Sequence, residues 1–315
     1  MAQLPAFSDI VKAHELIRPY IHRTPVLSSK SINEIVGAEL FFKCENLQKV
    51  GAFKFRGACN SVFSLTDEEA RNGVCTHSSG NHAAALALAA RMRGIAAYIV
   101  MPDNAPEIKK KAVAGYGAHI TFCEPTLTAR ESTLEKVALE TGATEIHPYN
   151  YFNVICGQGT AAKEMIEETG ELDIVMAPVG GGGLLSGTAL SAKAMLPGVK
   201  VIAAEPSGAD DAFRSFQSKM LQPSVTPKTI ADGLLTSLGE ITFSIILNEV
   251  DQIVTVSEER IVEAMRLVWE RMKIIIEPSS AVPLAAILEN KVDVKGKRVG
   301  IILSGGNVDL GKLPF

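Results

Sequence analysis

The sequence predicts an α/β protein in which helices cover parallel β-sheets. Short runs rich in β-branched residues alternate with longer helical patterns along almost the whole chain, and this alternation is typical of β-α-β units. The chain has 315 residues, which is enough for one large or two medium domains. Its contents of 47% hydrophobic and 21% charged residues are those of a compact soluble protein with a sizeable core.

The predicted elements follow from hydrophobic periodicity and from the residues that start and end each run. Strands are predicted at Leu40–Cys44, Val74–His77, Ala97–Met101, His119–Cys123, Ile174–Val179, Val201–Ala204, Gln252–Val256 and Arg298–Leu303. Helices are predicted between them, among others at Ala83–Met92, Ile108–Gly115, Glu131–Thr141, Thr160–Glu168 and Glu258–Arg271. Ser257 is suited to cap the last of these helices.

The domain organisation is predicted to be discontinuous. No composition shift marks a linker, and neither a repeat nor a low-complexity tract is visible. We expect a large cofactor-binding domain formed by residues 1–72 and 150–315, and a small mobile domain formed by residues 73–149. In α/β enzymes the ligand usually binds in such a cleft, at the carboxyl ends of the strands.

The composition argues against several classes of protein. The net charge is −4, the isoelectric point is near 5.9 and the basic residues are scattered, so a nucleic-acid partner is not expected. Five widely spaced cysteines without a C-x-x-C pair predict buried free thiols in a reducing cytoplasm. The uncharged stretch from Ile174 to Ala192 contains Pro178 and a glycine run, which favours strand, turn and helix over a membrane span.

The first candidate for chemistry is Lys54, which lies between Phe53 and Phe55 in the heptapeptide GAFKFRG. An amine in apolar surroundings is less stable as a cation, so its pKa falls and it becomes a usable nucleophile or base. Most lysines of this kind simply extend the charged end to solvent. The motif alone therefore leaves both interpretations open.

Two further motifs follow predicted strands and precede helices. In THSSGNH, residues 76–82, the hydroxyl, amide and backbone N–H groups suit a substrate carboxylate, although an ordinary capping turn fits equally well. The run Gly180, Gly181, Gly182 and Gly183 lets backbone amides approach a phosphate closely. Neither a P-loop lysine nor the G-x-G-x-x-G spacing is present, which favours a small phosphorylated cofactor over a nucleotide.

The last two motifs say little by themselves. Ser304 places a hydroxyl at the end of the last predicted strand. Glu205 and Asp211, with the Ala209 carbonyl between them, suit a hard cation that prefers oxygen ligands. A polar loop that caps a helix accounts for the same residues.

In this order, the motifs resemble the fold-type II pyridoxal-phosphate enzymes, the tryptophan synthase β family. Within that family the chain is most similar to the serine racemases and the serine/threonine dehydratases. The resemblance extends from the segment RTPV at residues 23–26 to residues 304–310. It implies two open parallel-sheet domains with pyridoxal 5'-phosphate in the cleft between them.

The resemblance also implies a role for each motif in holding the cofactor. Lys54 would bind it covalently with Phe53 beside the ring, and Asn81 would hydrogen-bond the pyridoxal hydroxyl. Ser304 would face the pyridine nitrogen, which a serine leaves largely unprotonated, so that the ring is a milder electron sink. The phosphate would be held by Gly180, Gly181, Gly182, Gly183 and Leu184.

The family pattern places Ser79 on the cofactor face opposite Lys54. Racemisation needs a base on each face, one to remove the α-proton and one to return it. Elimination of the β-hydroxyl, which gives pyruvate and ammonia from serine, competes from the same intermediate. The substrate would be contacted by Ser78, Ser79, Gly80, Asn81 and His82.

The leading hypothesis is therefore a serine racemase activity with a serine dehydratase side activity. A dehydratase for threonine or 3-hydroxyaspartate is the second hypothesis, and a cofactor-binding protein without turnover is the third. The resemblance further implies Mg²⁺, Ca²⁺ or Mn²⁺ at Glu205, Ala209 and Asp211. It also implies a homodimer, while the cysteine content and the lack of a predicted membrane segment predict a cytoplasmic protein with no membrane partner.

The sequence matches only part of a nucleotide-effector site. The animal serine racemases bind ATP at the dimer interface, and Lys49, Tyr116 and Asn307 match part of that site. Ala84 stands where a glutamine is usual.

Overall fold

The computed structural model describes residues 3–78, 80–105 and 107–315. In this part of the chain, ten strands form two sheets. The strands are β1 (Val26–Leu27), β2 (Glu39–Cys44), β3 (Val74–His77), β4 (Ala97–Pro102), β5 (His119–Cys123), β6 (Thr144–Glu145), β7 (Ile174–Pro178), β8 (Lys200–Pro206), β9 (Gln252–Val256) and β10 (Arg298–Leu303). All eight predicted strands are present. The sequence does not predict β1 and β6, because two residues carry too little periodicity.

Helices connect the strands throughout the described residues. They are α1 (Phe7–Ile17), α2 (Lys30–Val36), α3 (Lys54–Ser64), α4 (Asp67–Ala70), α5 (Asn81–Arg93), α6 (Glu107–Gly115), α7 (Leu127–Thr141), α8 (Phe152–Thr169), α9 (Gly183–Met195), α10 (Asp211–Ser218), α11 (Glu240–Glu249), α12 (Glu258–Met272) and α13 (Pro278–Leu288). The predicted cap of α12 is confirmed, since the Ser257 side chain accepts a hydrogen bond from the Arg260 amide.

The larger sheet has the strand order β1-β2-β10-β7-β8-β9. Its neighbouring strands are parallel except for β1 and β2, which pair antiparallel. The prediction of parallel sheets is therefore wrong at this edge. Residues 28–38 connect the two strands, and this segment is shorter than the dozen or so residues that a parallel crossover needs.

The smaller sheet has the order β5-β4-β3-β6, and all of its pairs are parallel. The hydrophobic core beside this sheet includes residues of the alanine-rich helix α5 and also Phe55 and Val62 of α3. Helix α3 therefore packs against elements of the smaller sheet on one side and against α8 on the other. The division of the chain at residues 72 and 150 stays a prediction.

Helix α8 begins eight residues before the predicted start at Thr160. The additional part contains Gly157 and Gly159, which lower helix propensity and hide the helix from a sequence-based prediction. Both glycines lie where α8 crosses a neighbouring helix. A Cβ on Gly157 would lie 2.6 Å from the Cα of Gly57 in α3, and a Cβ on Gly187 of α9 would lie 2.5 Å from the Gly159 nitrogen.

Two findings bear on the composition-based expectations. All five cysteines carry free thiols, as predicted, and four of them are buried, whereas Cys123 is only partly buried. None of the helices in the described ranges combines the length and apolar character needed to cross a lipid bilayer.

The Gly187→Ala substitution is expected to lower the free energy of unfolding by about 1–3 kcal/mol, because the new methyl group overlaps the backbone of α8. Denaturant unfolding of the purified protein measures this change. The matched control is Gly115→Ala in α6, where a Cβ would meet no described atom within 4 Å. The control should be neutral or slightly stabilising. Equal losses in both variants would contradict the close approach of α8 and α9.

Candidate active site

Lys54 is the first residue of α3. Its Nζ donates a 2.8 Å hydrogen bond to the Pro148 carbonyl and lies 5.3 Å from the centroid of the Phe53 ring. The residue keeps some exposed surface, but protein atoms surround the amine. Burial lowers the pKa of this amine to about 8, and the nearby Glu277 only partly opposes the shift. Lys54 is thus a better nucleophile near neutral pH than an ordinary lysine.

Ser304 lies beside the segment that leads into Lys54. The Phe53 amide donates a 2.9 Å hydrogen bond to the Ser304 carbonyl. The Ser304 hydroxyl lies 3.0 Å from that of Ser280, and Ser280 donates to the Gly305 carbonyl at 2.6 Å. Because the single proton of Ser280 is used in that bond, the Ser304 hydroxyl is the donor towards Ser280. If a ligand placed a ring nitrogen near Ser304, the Ser304 hydroxyl could donate this same hydrogen bond to it.

The glycine run connects β7 to the amino end of α9. Gly182 has a φ of +86°, and a Cβ on Gly181 would lie 2.3 Å from the Tyr149 ring, so no larger residue fits at either position. Within the described part of the chain, the backbone N–H groups from Gly181 to Leu184 have no protein acceptor. Free donors at the start of a 13-residue helix suit an anion such as a phosphate.

Asn81 lies at the start of α5 and belongs to a polar cluster with Glu277 and Asn307. Its amide nitrogen donates to the two Glu277 oxygens at 3.0 and 3.2 Å, and its carbonyl oxygen accepts from the Asn307 side chain at 2.8 Å. Burial raises the pKa of Glu277 to about 7, and Asp232 adds to the increase. The sequence assigns no role to Glu277, although it lies close enough to Lys54 to influence its pKa.

The remaining residues of the THSSGNH turn are in different environments. The Ser78 hydroxyl is partly buried and accepts a 3.3 Å hydrogen bond from the Gly80 amide. His82 is 2% exposed, and its Nε2 lies 3.3 Å from the Ile146 carbonyl, so the ring supports the turn from the core side. Burial lowers the pKa of His82 well below its usual value, so the ring is neutral. Ser79 lies outside the described residues.

The segment from His147 to Asn150 completes the site and was not predicted from the sequence. It contains the carbonyl that Lys54 contacts and the Tyr149 ring that packs on the glycine run. The Asn150 side chain accepts from the Ile241 amide at 2.9 Å and thereby caps α11. Its turn residues Pro148 and Asn150 are the available sequence signal, but the strand before them, β6, has only two residues and is too short to predict.

His147 stabilises the turn in this segment. Its Nδ1 accepts a 2.9 Å hydrogen bond from the Asn150 amide. Burial, together with His77 and Lys54, lowers the pKa of His147 to about 4, so the ring is neutral and Nδ1 can accept.

Glu205 and Asp211 are fully buried at the carboxyl end of β8 and the start of α10. Glu205 accepts hydrogen bonds from the Ala212 and Phe213 amides, whereas neither oxygen of Asp211 makes a well-formed hydrogen bond with a described residue, and the nearby Ser224 hydroxyl only weakly favours its charged form. Burial raises the pKa of Glu205 to about 9 and that of Asp211 to about 6.

An unpaired buried carboxylate is costly, and a cation would relieve that cost. The buried Asp211 carboxylate beside that of Glu205 therefore suits a divalent ion, and the Ala209 carbonyl would be the third ligand that the sequence predicts. In the described ranges no three His, Cys, Asp or Glu side chains lie together as a metal site, so these side chains alone would not supply three ligands here.

Comparison with known proteins identifies the family. The model of the pyridoxal-phosphate dependent enzymes matches residues 17–305. The chain belongs to this family. It is a pyridoxal-phosphate-dependent enzyme with the fold-type II arrangement that the sequence predicts.

Similar proteins cover almost the full chain. The β-hydroxyaspartate dehydratase of Paracoccus denitrificans is 53% identical over 312 residues, 99% of each chain. The serine racemase of Dictyostelium discoideum is 54% identical over 309 residues, which are 97% of this chain and 95% of that protein. The structure of maize serine racemase superposes with a TM-score of 0.96 at 47% identity and covers 98% of this chain and 95% of the maize chain.

The site fits pyridoxal phosphate. The free amides of the glycine run, including Leu184, would hold the phosphate, the Lys54 amine would bind the aldehyde carbon, and Asn81 and Ser304 would hydrogen-bond the ring. When bound, the cofactor supplies an electron sink that stabilises negative charge at the α-carbon of an amino acid. The protein residues then determine which proton moves and where it goes.

The rate at which the apoprotein binds pyridoxal phosphate covalently is expected to rise with pH up to about 8 and to level off above it. Only the neutral Lys54 amine attacks, so below that pH the rate should fall about ten-fold per pH unit. The visible absorption of the bound cofactor, followed by rapid mixing, measures the rate. Lys54→Arg is the control and should not react. A midpoint near 10.5, the ordinary lysine value, would show that burial does not lower the pKa of Lys54.

Proposed function

We propose that this enzyme interconverts L-serine and D-serine and also eliminates the β-hydroxyl of serine to give pyruvate and ammonia. The observation that carries the proposal is the full-length similarity to serine racemases, at 54% identity for the Dictyostelium discoideum protein. The buried Lys54 amine supports it, because its lowered pKa leaves much of it neutral near pH 8 and able to take a proton.

Two bases on opposite faces of the cofactor would account for racemisation, and the lysine alone for elimination. Lys54 exchanges the α-proton on one face, and we propose that the Ser79 hydroxyl exchanges it on the other. The Asn81 amide is held by Glu277, so it is oriented before the ligand binds. Ser78, Gly80 and His82 complete the turn that would receive the substrate carboxylate. Elimination needs the lysine but not the second base.

Incubation of the purified protein with L-serine, followed by resolution of the enantiomers and a pyruvate assay, tests this proposal. Ser79→Ala is expected to lower D-serine formation at least about 100-fold while pyruvate formation continues, since only racemisation needs a second base. Ser78→Ala is the neighbouring control and should leave the ratio of D-serine to pyruvate unchanged. Lys54→Ala should abolish both products. Pyruvate without any D-serine from the unmodified protein would refute the racemase activity.

A dehydratase for 3-hydroxyaspartate is the second candidate. The Paracoccus denitrificans relative named for that activity is 53% identical over the full length. The same assay run with 3-hydroxyaspartate and with threonine compares kcat/KM for the three substrates.

We propose that Mg²⁺, or Ca²⁺ or Mn²⁺ in its place, binds at Glu205, the Ala209 carbonyl and Asp211. The support is the unpaired, fully buried carboxylate of Asp211. The ion would stabilise the fold at the carboxyl end of β8 and would not take part in proton transfer. Binding requires deprotonated ligands, so it releases protons from carboxyl groups whose pKa values burial has raised.

Mg²⁺ is expected to raise the melting temperature of the protein, with a stabilisation of about 2.7 kcal/mol when the ion is at 100 times its dissociation constant. The effect should weaken as the pH drops below about 9, where Glu205 takes up a proton, and more steeply below about 6, where Asp211 also does. Thermal unfolding with and without Mg²⁺ measures it. Asp211→Asn should remove the response, whereas Asp210→Asn, at a neighbouring carboxylate that pairs with Arg214, should keep it. Equal responses in both variants would place the ion elsewhere.

We further propose a homodimer in the cytoplasm. The family resemblance supports the dimer, and the free thiols are compatible with a reducing compartment. Tyr116, Asn307 and Ala84 line one cavity of about 510 Å³, while the Lys49 amine lies 5.7 Å from the Phe55 ring centroid. Because Ala84 stands where a glutamine is usual in the nucleotide site of the animal serine racemases, we propose that ATP is at most a weak effector.

A further inference from the structure

A buried ion network begins two residues after Lys54. Four charged side chains form it, each no more than 1% exposed: Lys43, Glu45, Arg56 and Glu164. Two positive and two negative charges balance one another. Residues two apart in a helix point in roughly opposite directions, so Arg56 leaves the first turn of α3 on the side away from Lys54.

The Arg56 guanidinium is the centre of the network and pairs with both carboxylates in forked geometry. Its Nε and Nη2 donate to the two oxygens of Glu45 at 2.7 and 2.8 Å. Its Nη1 and Nη2 donate to the two oxygens of Glu164 at 2.9 and 2.8 Å. Lys43 donates to Glu164 at 2.8 Å and to the Thr24 carbonyl at 2.6 Å. Every charged group therefore has a partner of opposite charge.

Stability alone does not account for this network. Burial by itself would raise the pKa of Glu164, and hydrogen bonds from His14 and Arg56, with the charges of Arg56 and Lys43, hold it below its usual range. Replacing a buried ion network with apolar side chains of similar size is often neutral or stabilising. Two forked pairs to one planar guanidinium supply orientation instead, because they restrict both its position and its plane.

The oriented element is the first turn of α3. The Arg56 amide closes this turn by donating to the Phe53 carbonyl at 3.0 Å. Helix α8 contacts this turn at two places. Glu164 of α8 pairs with Arg56, and Gly157 of α8 packs against the backbone of Arg56 and Gly57. Helix α8 also packs closely on α9, which starts at the glycine run. One helix therefore connects the start of α3 to the candidate phosphate site.

We propose that Arg56 is a positioning residue that, by fixing the first turn of α3 to α8, directs the Lys54 side chain towards the aldehyde of a cofactor whose phosphate is held at α9. The inference rests on Lys54 being the lysine that binds the cofactor. It predicts that the network controls how readily Lys54 reacts, separately from how stable the protein is.

A charge-neutral variant separates these two effects. Lys43→Met, Glu45→Gln, Arg56→Met and Glu164→Gln in one protein remove both positive and both negative charges, so no charge of the network is left buried and unpaired. Two quantities are measured on the apoprotein: the denaturant midpoint of unfolding, and the rate and affinity of covalent pyridoxal phosphate binding by visible absorption. The midpoint should stay close to that of the unmodified protein. The binding rate should fall at least about ten-fold, because a misplaced reacting group loses much of its advantage.

Arg56→Lys provides the second test, since it keeps the positive charge but loses the forked geometry. It should also bind the cofactor at least about ten-fold more slowly, even where the four-residue variant does not fold. An unchanged binding rate in either folded variant would overturn the positioning role and leave Arg56 a structural residue. Lys54→Ala is run in parallel. If that variant still binds the cofactor covalently, the assignment of Lys54 fails, which is a different outcome from a fast reaction in the Arg56 variants.

Discussion

The close packing of α8 against α3 and α9 is the contact on which the geometry of the site depends. Glycines at both crossings let the helix backbones touch, so no side chain separates them. The helix that begins at Lys54 and the helix that begins at the glycine run are thereby held by one common element. A packed helix core deforms little, because protein interiors are as dense as organic crystals. The distance between the reactive amine and the anion site is therefore a property of the core.

Burial determines the charge state of the site in a consistent way. It lowers the pKa of Lys54 and of His147 and raises that of Glu277, and in each case it disfavours the charged form. Near neutral pH the site thus holds an amine and a carboxyl group that are both partly neutral. The phosphate of the cofactor would meet free backbone amides at the start of α9, which suit a negative charge.

In the buried ion network behind Lys54, which shares the first turn of α3, pairing between opposite charges counteracts the effect of burial. There Arg56 and Glu164 keep their charges, because each has partners of opposite charge at hydrogen-bonding distance, although burial still lowers the pKa of Lys43. Lys54 lacks such a partner within ion-pair distance among the described residues, and its pKa falls as a result. Two cationic side chains that are two residues apart therefore differ in chemistry for a structural reason.

The sequence by itself determined the α/β class, eight of the ten strands in the described residues, and the motifs that mark Lys54, Asn81, the glycine run and Ser304. These features are local, since periodicity, turn residues and short motifs are set by neighbours along the chain. Only the tertiary structure decided that Glu277 holds Asn81, that Tyr149 packs on the glycine run, and that Arg56 connects α3 to α8. Those contacts join residues far apart in sequence, and no local pattern encodes which distant side chain a buried group will meet. The short strands β1 and β6 also depend on such pairing, because two residues form a strand only when a neighbouring strand supplies the hydrogen bonds.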